Sequence, residues 1–413
     1  MTAGLAVQRL TSLAELEAAA APWEAVHAAC PARHVLLDHR WVCAWWRAFG
    51  GGRGLNCLLL RRDKEVVGVV PLILSRGWEV FPFRDPYVQI AEDYRHLPAS
   101  RWRRWVWVRR LSFPLNIPSG NIRGHLLLAA GEDESEAAEA LLRDCALIRR
   151  RWDLLALDGL PAAGGQEEAA RQAAPGVGLH MAREAMERTM MRSPLPPTLD
   201  AFLQRRSGHF RKRLKQECNR LARDAEPFGG LHLRAYRGTE IGAGMDALFA
   251  LEAGSWKVAN TKRRRLHLRL DERTRRFHRE VAHAFAATDQ AQVLTLRIGE
   301  RPVAALYSLE RDGTTACVLT YMAADSPIKF SVAPLWRGFV EGAIGRGLRE
   351  IDFNGRTRNV IKWAEEAVVY RRCLLFHGGP YSRFLRLLRQ GAYTAHRFTT
   401  QRSAETASGE IGR

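Results

Sequence analysis

The sequence predicts an α/β protein made of two halves with one plan, each a mixed, mainly antiparallel sheet flanked by helices. Three observations carry this. Residues 290–376 alternate apolar runs with short turn signals and one helix-length segment. A similar order of hairpin, helix and strand occurs earlier, within residues 1–185. Between them stands Arg192-Ser193-Pro194-Leu195-Pro196-Pro197, followed by a capping residue, Thr198. The expected division is 1–190, 195–378, and a C-terminal helix with a flexible tail over 379–413. A chain of 413 residues is long enough for two such cores.

In the first half, Leu13–Ala21 reads as a helix. Asp38 can cap a second, Arg40–Phe49, with Trp41, Trp45 and Phe49 on one stripe. Leu55–Arg62 and Val66–Leu74 form a hairpin across Asp63-Lys64-Glu65. Gly131–Arg150 is an alanine-rich helix, and Trp152–Leu157 a short buried strand. In Phe81–Ile122, Trp102, Trp105 and Trp107 alternate with arginines. Such a pattern serves base stacking beside phosphate clamps, or packing with the arginines left in water. The packing reading is adopted, with one wall of a substrate cleft as a further role.

The second half opens on a basic helix, Phe210–Arg223. Phe210, Leu214 and Leu221 fall near one face; Arg211, Lys212, Arg213 and Lys215 cover the others. Three readings stay open: a solvated helix docked by its stripe, a cradle for an anionic substrate or acyl-carrier protein, or a nucleic-acid helix. No recognisable nucleic-acid motif lies nearby, which argues against the third. Val293–Ile298, Val303–Glu310 and Thr315–Met322 then form a meander across Gly299-Glu300-Arg301 and Asp312-Gly313. Ser331 can cap a helix whose apolar face is Leu335, Phe339 and Ile344. It stops at Gly345/Gly347, before a strand, Glu350–Phe353. A helix start that follows a strand end suits a phosphate-bearing ligand, because its first N–H groups are unpaired.

Charge narrows the partners. There are 63 basic and 44 acidic residues, a formal net charge of +19. The basic residues cluster over Arg205–Arg223 and Lys262–Arg279. Such fields attract polyanions: nucleic acid, anionic membrane, phosphorylated ligands or an acidic carrier. The longest apolar run, Val66–Leu74, is too short to span a bilayer, and no signal-peptide pattern opens the chain. Seven cysteines without a Cys-x-x-Cys pair fit a reducing compartment. The expected location is the cytoplasm. His34/His39 and His278/His283 lack zinc spacing, so no metal is expected.

The ordered set of the basic helix, Leu251-Glu252-Ala253-Gly254-Ser255-Trp256-Lys257, Gly299–Tyr307, Tyr321–Asp325, Lys329–Leu335 and Ile351–Gly355 with Lys362 resembles the GNAT (Gcn5-related) acetyltransferases. It is similar in particular to the branch around the cellulose-synthesis protein CelD and the BioF2-like domain. The resemblance covers roughly residues 190–376. It implies tandem GNAT-like halves, as in FemX-type transferases, with the second half catalytic. The usual pyrophosphate loop is absent, and Lys329-Phe330-Ser331-Val332-Ala333-Pro334 stands in its place. The implied donor is acetyl-CoA or another acyl-CoA, or an acyl-carrier protein. The implied acceptor is an amine of a small molecule or an envelope or polysaccharide precursor. Two alternatives remain: a FemX-type enzyme using aminoacyl-tRNA, and a non-catalytic partner in polysaccharide synthesis.

Acyl transfer needs a group to take the amine's proton and one to steady or protonate the leaving thiolate. The candidates are Glu252 as base, Tyr321 as donor, Asp352 at a strand's C-terminal end, and Lys362 at the reacting centre or phosphates. Each also has a structural alternative: surface glutamate, core tyrosine, turn cap, surface lysine. Met322 and Ala323 would line the pantetheine arm. Lys329, Ser331, Val332 and Ala333 would meet the pyrophosphate. Arg211, Lys212, Lys215, Trp256 and Lys257 would hold the anionic substrate.

Overall fold

A computed structural model describes residues 4–81, 104–115, 119–121, 123–182, 187–255 and 271–391. Two sheets organise them. The smaller has four strands in the order β1 (Ala6–Leu10), β3 (Cys57–Arg62), β4 (Glu65–Val70) and β7 (Leu127–Leu128), all antiparallel.

The larger sheet runs from the second half into the first. It starts with β11 (Leu231–Tyr236), β12 (Ala291–Ile298), β13 (Arg301–Arg311), β14 (Thr314–Met322) and β15 (Glu350–Asp352). It continues through β10 (Glu187–Pro194), β16 (Glu366–His377), β8 (Leu154–Pro161), β6 (Arg104–Ser112), β5 (Ile73–Phe81) and β2 (Gly54–Leu55). A further strand, β9 (Leu179–Ala182), pairs with β16. The sheet is mixed: β14 pairs β15 in parallel and β6 pairs β8 in parallel, while the other ladders are antiparallel. The last strand, β16, therefore lies between β10 and the first half's β8.

Local chemistry sets the element ends. The first helix ends earlier than its composition suggests, giving α1 (Leu13–Ala18) and α2 (Ala20–Ala29). Pro22 has no N–H to bond the preceding turn, so one straight helix cannot pass through it. Ser12 and Glu15 form a capping box on α1. Asp38 caps α3 (His39–Phe49) by accepting from the Arg40 N–H at 2.8 Å. The alanine-rich helix α4 is Glu134–Leu147, shortened at its start by the Asp133 cap.

The expected strand Val66–Leu74 is broken at Pro71-Leu72. β4 belongs to the small sheet and β5 to the large one. Proline cannot donate to a ladder, so the chain changes sheets there. The meander β12–β13–β14 matches the three expected runs. Its second turn needs positive φ at Asp312 (52°) and Gly313 (80°), and a Cβ on Gly313 would meet Arg349 Nε at 2.6 Å.

The hydrophobic core crosses the chain's length. One cluster joins Trp41, Trp45 and Phe49 of α3 with Phe277 and Phe285 of a later helix, Glu272–Ala286, and with Tyr307 of β13. Trp41 and Phe277 meet edge to face at 5.0 Å between ring centroids. A second cluster packs under the helix Ala333–Gly345, with Leu335, Phe339, Val340 and Trp336 against Phe353 and Trp363.

Candidate active site

Two long helices frame a cleft of about 300 Å³. One is the basic helix, here Gly208–Ala225, capped by Ser207 through the Phe210 N–H at 3.2 Å. The other is Ala333–Gly345, which follows the end of β14. Phe210, Arg213, Leu214 and Glu217 line the cleft from the first. Met322, Phe330, Ser331, Val332, Ala333 and Trp336 line it from the strand end and the second helix. A turn carrying Asn359, Lys362 and Trp363 closes it.

Four residues of the expected donor site, Met322, Ser331, Val332 and Ala333, therefore meet in one place with the catalytic candidate Lys362. Ser331 precedes the N-cap, which is Val332, and its Oγ accepts from the Ala333 N–H at 3.3 Å. Pro334 occupies the first turn, where its missing N–H is no loss. Lys329 is exposed, and its carbonyl accepts from Arg220 Nη1 at 3.1 Å. Ala323 is buried, bonds Val303 through its N–H at 2.9 Å and forms a bridge with Ser255. Neither residue lines the cleft.

Glu217 is the residue that sequence reasoning passed over. It is the single acid among eight basic residues over Arg205–Arg223. Its Oε2 accepts from Ser331 Oγ at 2.9 Å and its Oε1 from Arg213 Nε at 2.8 Å. Partial burial raises its carboxyl, but Arg213, Ser331 and the nearby Lys362 charge outweigh it and hold it below the usual range. The available signal was spacing: Phe210, Leu214 and Glu217 share one helical face. On the outer side of the same helix, His209, Lys212, Gln216 and Arg220 line a shallow groove of about 530 Å³, which shares Arg213 and Glu217 with the cleft. Arg211 and Lys215 are exposed on this helix but outside both linings.

Glu252 and Tyr321 form a second group. Glu252 ends the helix Ile241–Ala253, is buried, and accepts from Arg275 Nη2 at 2.7 Å. Tyr321 precedes Met322 on β14, so its side chain leaves the opposite face of the strand. Burial pushes its phenol up strongly, and the Glu252 charge adds to the shift while Arg275 opposes it. β15 pairs with β14 only at Thr314–Ala316, so Cys317–Met322 run on beyond it. Trp256 and Lys257 lie outside the described residues.

Asp352 lies elsewhere again. It is fully buried, with Oδ1 2.6 Å from Arg123 Nη2, Oδ2 3.2 Å from His34 Nε2, and Arg192 Nε at 3.4 Å. Its Oδ1 also accepts from the Asn354 N–H at 2.7 Å, as in a capped turn. Burial alone would raise this carboxyl; Arg123, His34 and Arg192 together hold it well below the carboxylate range. His34 Nδ1 accepts from the Leu36 N–H at 3.1 Å, and its Nε2 faces both Asp352 Oδ2 and the Arg123 guanidinium.

Among the described residues no group of His, Cys, Asp and Glu could hold a metal ion, and no helix is long and apolar enough to cross a membrane.

Residues 208–362 match the family described as acetyltransferase (GNAT) domain. No curated relative matches in sequence. Among solved structures, the crystal structure of FemX is similar at a TM-score of 0.55 and 11% identity, covering 92% of this chain and 100% of that one. A tandem GNAT protein from the clavulanic acid biosynthesis pathway gives 0.45 at 12% identity over 91% and 99% of the two chains. The C-terminal domain of a putative lysylphosphatidylglycerol synthetase from Agrobacterium fabrum gives 0.49 at 13% over 92% and 96%. The matched span contains the meander, Lys362 and every lining residue of the cleft but Trp363, and the FemX likeness extends the shared fold along nearly the whole chain. Residues 208–362 thus match a GNAT acetyltransferase domain, within a chain whose fold is similar to that of FemX.

Proposed function

We propose that the protein transfers an acyl group from an acyl-CoA, or from the same arm on a carrier protein, to an amine, in direct transfer without an acyl-enzyme. The observation that carries this reading is the cleft that gathers Met322, Ser331, Val332, Ala333 and Lys362 at the start of a helix. Arg213 and Lys362 supply positive charge for the donor's phosphates there. The amine and base would sit across β14, where Glu252 and Tyr321 lie. In that step the amine nitrogen bonds the thioester carbonyl carbon and the carbon–sulfur bond breaks. Glu252 takes the amine's proton, and Tyr321, kept protonated by burial, donates to the leaving thiolate. Asp352, paired on three sides, holds the end of β15 rather than a proton in flight. The acceptor in this reading is a small amine or an envelope precursor.

One observation favours a second reading. The outer groove with Lys212, Arg213 and Arg220 runs into the cleft, a layout that also suits an aminoacyl-tRNA donor. Calorimetry with acetyl-CoA and filter binding with aminoacyl-tRNA separate the two. Retention of the first alone supports the acyl-CoA reading, and retention of the second alone replaces it.

A further inference from the structure

The far end of the long sheet carries a surface unrelated to the cleft. Trp78 on β5 and Trp107 on β6 are exposed by 51% and 46%, and their rings meet edge to face at 5.7 Å. The C-terminal helical segment that follows β16 continues this surface. Tyr381 donates its hydroxyl to the Trp107 carbonyl at 2.5 Å and stacks on Phe384 at 6.0 Å between centroids. Leu387, one turn on, is 62% exposed. Single exposed apolar residues are ordinary, but five large ones joined in one strip are not.

The rim of this strip is positive. Arg76 and Arg109 are register partners two residues from Trp78 and Trp107, so they share their face. Arg109 Nη1 donates to the Arg150 carbonyl at 2.7 Å, which brings in the exposed turn Arg149–Arg151. Arg383 is exposed between Tyr381 and Phe384. Asp153, the carboxylate bonded to this edge, is buried and paired with Arg109.

We infer that this aromatic strip and its arginine rim dock the protein on an anionic lipid surface. Trp and Tyr rings favour the interface between headgroups and acyl chains, and arginines at the same level meet lipid phosphates. Phe384 and Leu387 supply the apolar part that enters deeper. A twofold contact between two copies would set one arginine rim against the other, which like charge opposes. The chain's net charge of +19 strengthens attraction to an anionic surface over a neutral one.

Vesicle co-sedimentation of the full chain tests this, with phosphatidylcholine alone and with equal parts phosphatidylglycerol. The expected result is binding to the mixed vesicles only, weakening as salt is raised. Phe384→Asn/Leu387→Asn should reduce that binding by about tenfold or more with an unchanged thermal melt. Arg149→Gln/Arg150→Gln/Arg151→Gln should reduce it as well, and decides the matter if the first variant melts early. No binding by the wild type overturns the inference. So does unchanged binding by both variants, which would leave overall charge as the cause. Self-association that Phe384→Asn/Leu387→Asn abolishes, without vesicle binding, would assign the strip to a second copy and overturn it too.

Discussion

Arg123 Nη2 stands 2.6 Å from Asp352 Oδ1, both side chains fully buried and 229 positions apart in the chain. The pair ties the first half to the end of β15. The Arg123 guanidinium also lies 5.3 Å from the Tyr370 ring centroid. Next to it, Asn354 Nδ2 donates to the Gly120 carbonyl at 2.9 Å, a second link between the same two regions.

Removing one partner of this pair should be costly. Arg123→Met or Asp352→Asn leaves an unbalanced buried charge or an orphaned donor, with an expected loss of ~3–5 kcal/mol for each. Arg123→Met with Asp352→Leu should lose less than the sum of its two single substitutions, because the two buried charges that face each other leave together. Urea denaturation of the two single variants and the double variant measures this. Strictly additive losses would show that the pair is not coupled.

His34 makes stability depend on pH. Burial first, and then the Arg123 charge, push its ring down to about 3, while Asp352 opposes. The folded pKa lies below the unfolded value of ~6.5, so the unfolded chain takes up the proton first. Stability is therefore complete above about pH 6.5 and falls as pH drops toward 3, with a slope approaching ~1.4 kcal/mol per unit. His34→Gln should flatten the wild-type decline between pH 6.5 and 4.5. Parallel curves for the two proteins would remove His34 from this account.

Charge at the cleft mouth should tune donor binding in both directions. Ser331→Asp places a carboxylate beside Glu217, whose Oε2 is 2.9 Å from the serine hydroxyl. It should weaken acetyl-CoA binding by about tenfold or more, because like charges gather where the phosphates must sit. Glu217→Gln removes one negative charge from the same mouth and should tighten binding. Calorimetry at low salt checks the pair, and two shifts of the same sign would contradict it.

Glu252→Gln should lower turnover by about a hundredfold or more while leaving donor affinity near the wild-type value, as expected for loss of a general base. Tyr321→Phe should lower turnover less, because solvent can supply the leaving thiolate's proton. Steady-state transfer to a panel of amines, read beside donor affinity, checks both. Loss of donor affinity without loss of turnover would reverse the assignment.

Much of this architecture is legible in the sequence because strand and turn chemistry is local. Asp312-Gly313 announces its hairpin, and Val293–Met322 is three apolar runs of strand length divided by turns. The change of sheet at Pro71 was also local, but an unbroken apolar run concealed it. The cleft proposed for the donor was half legible. Ser331–Ala333 and Lys362 follow from order along the chain, whereas Glu217 depends on how one helix packs against another. The Arg123–Asp352 link could not be read at all, since nothing near Arg123 announces a partner more than two hundred residues away.

The proposed donor site lies between the basic helix and the helix Ala333–Gly345. Calorimetry of acetyl-CoA and CoA with the wild type and with Arg213→Gln/Lys362→Gln tests it most directly. Wild-type binding should be salt-sensitive, and the double substitution should weaken it by about tenfold or more with an unchanged melt. Wild-type protein that binds neither ligand, or a variant that binds as tightly as wild type, would contradict it.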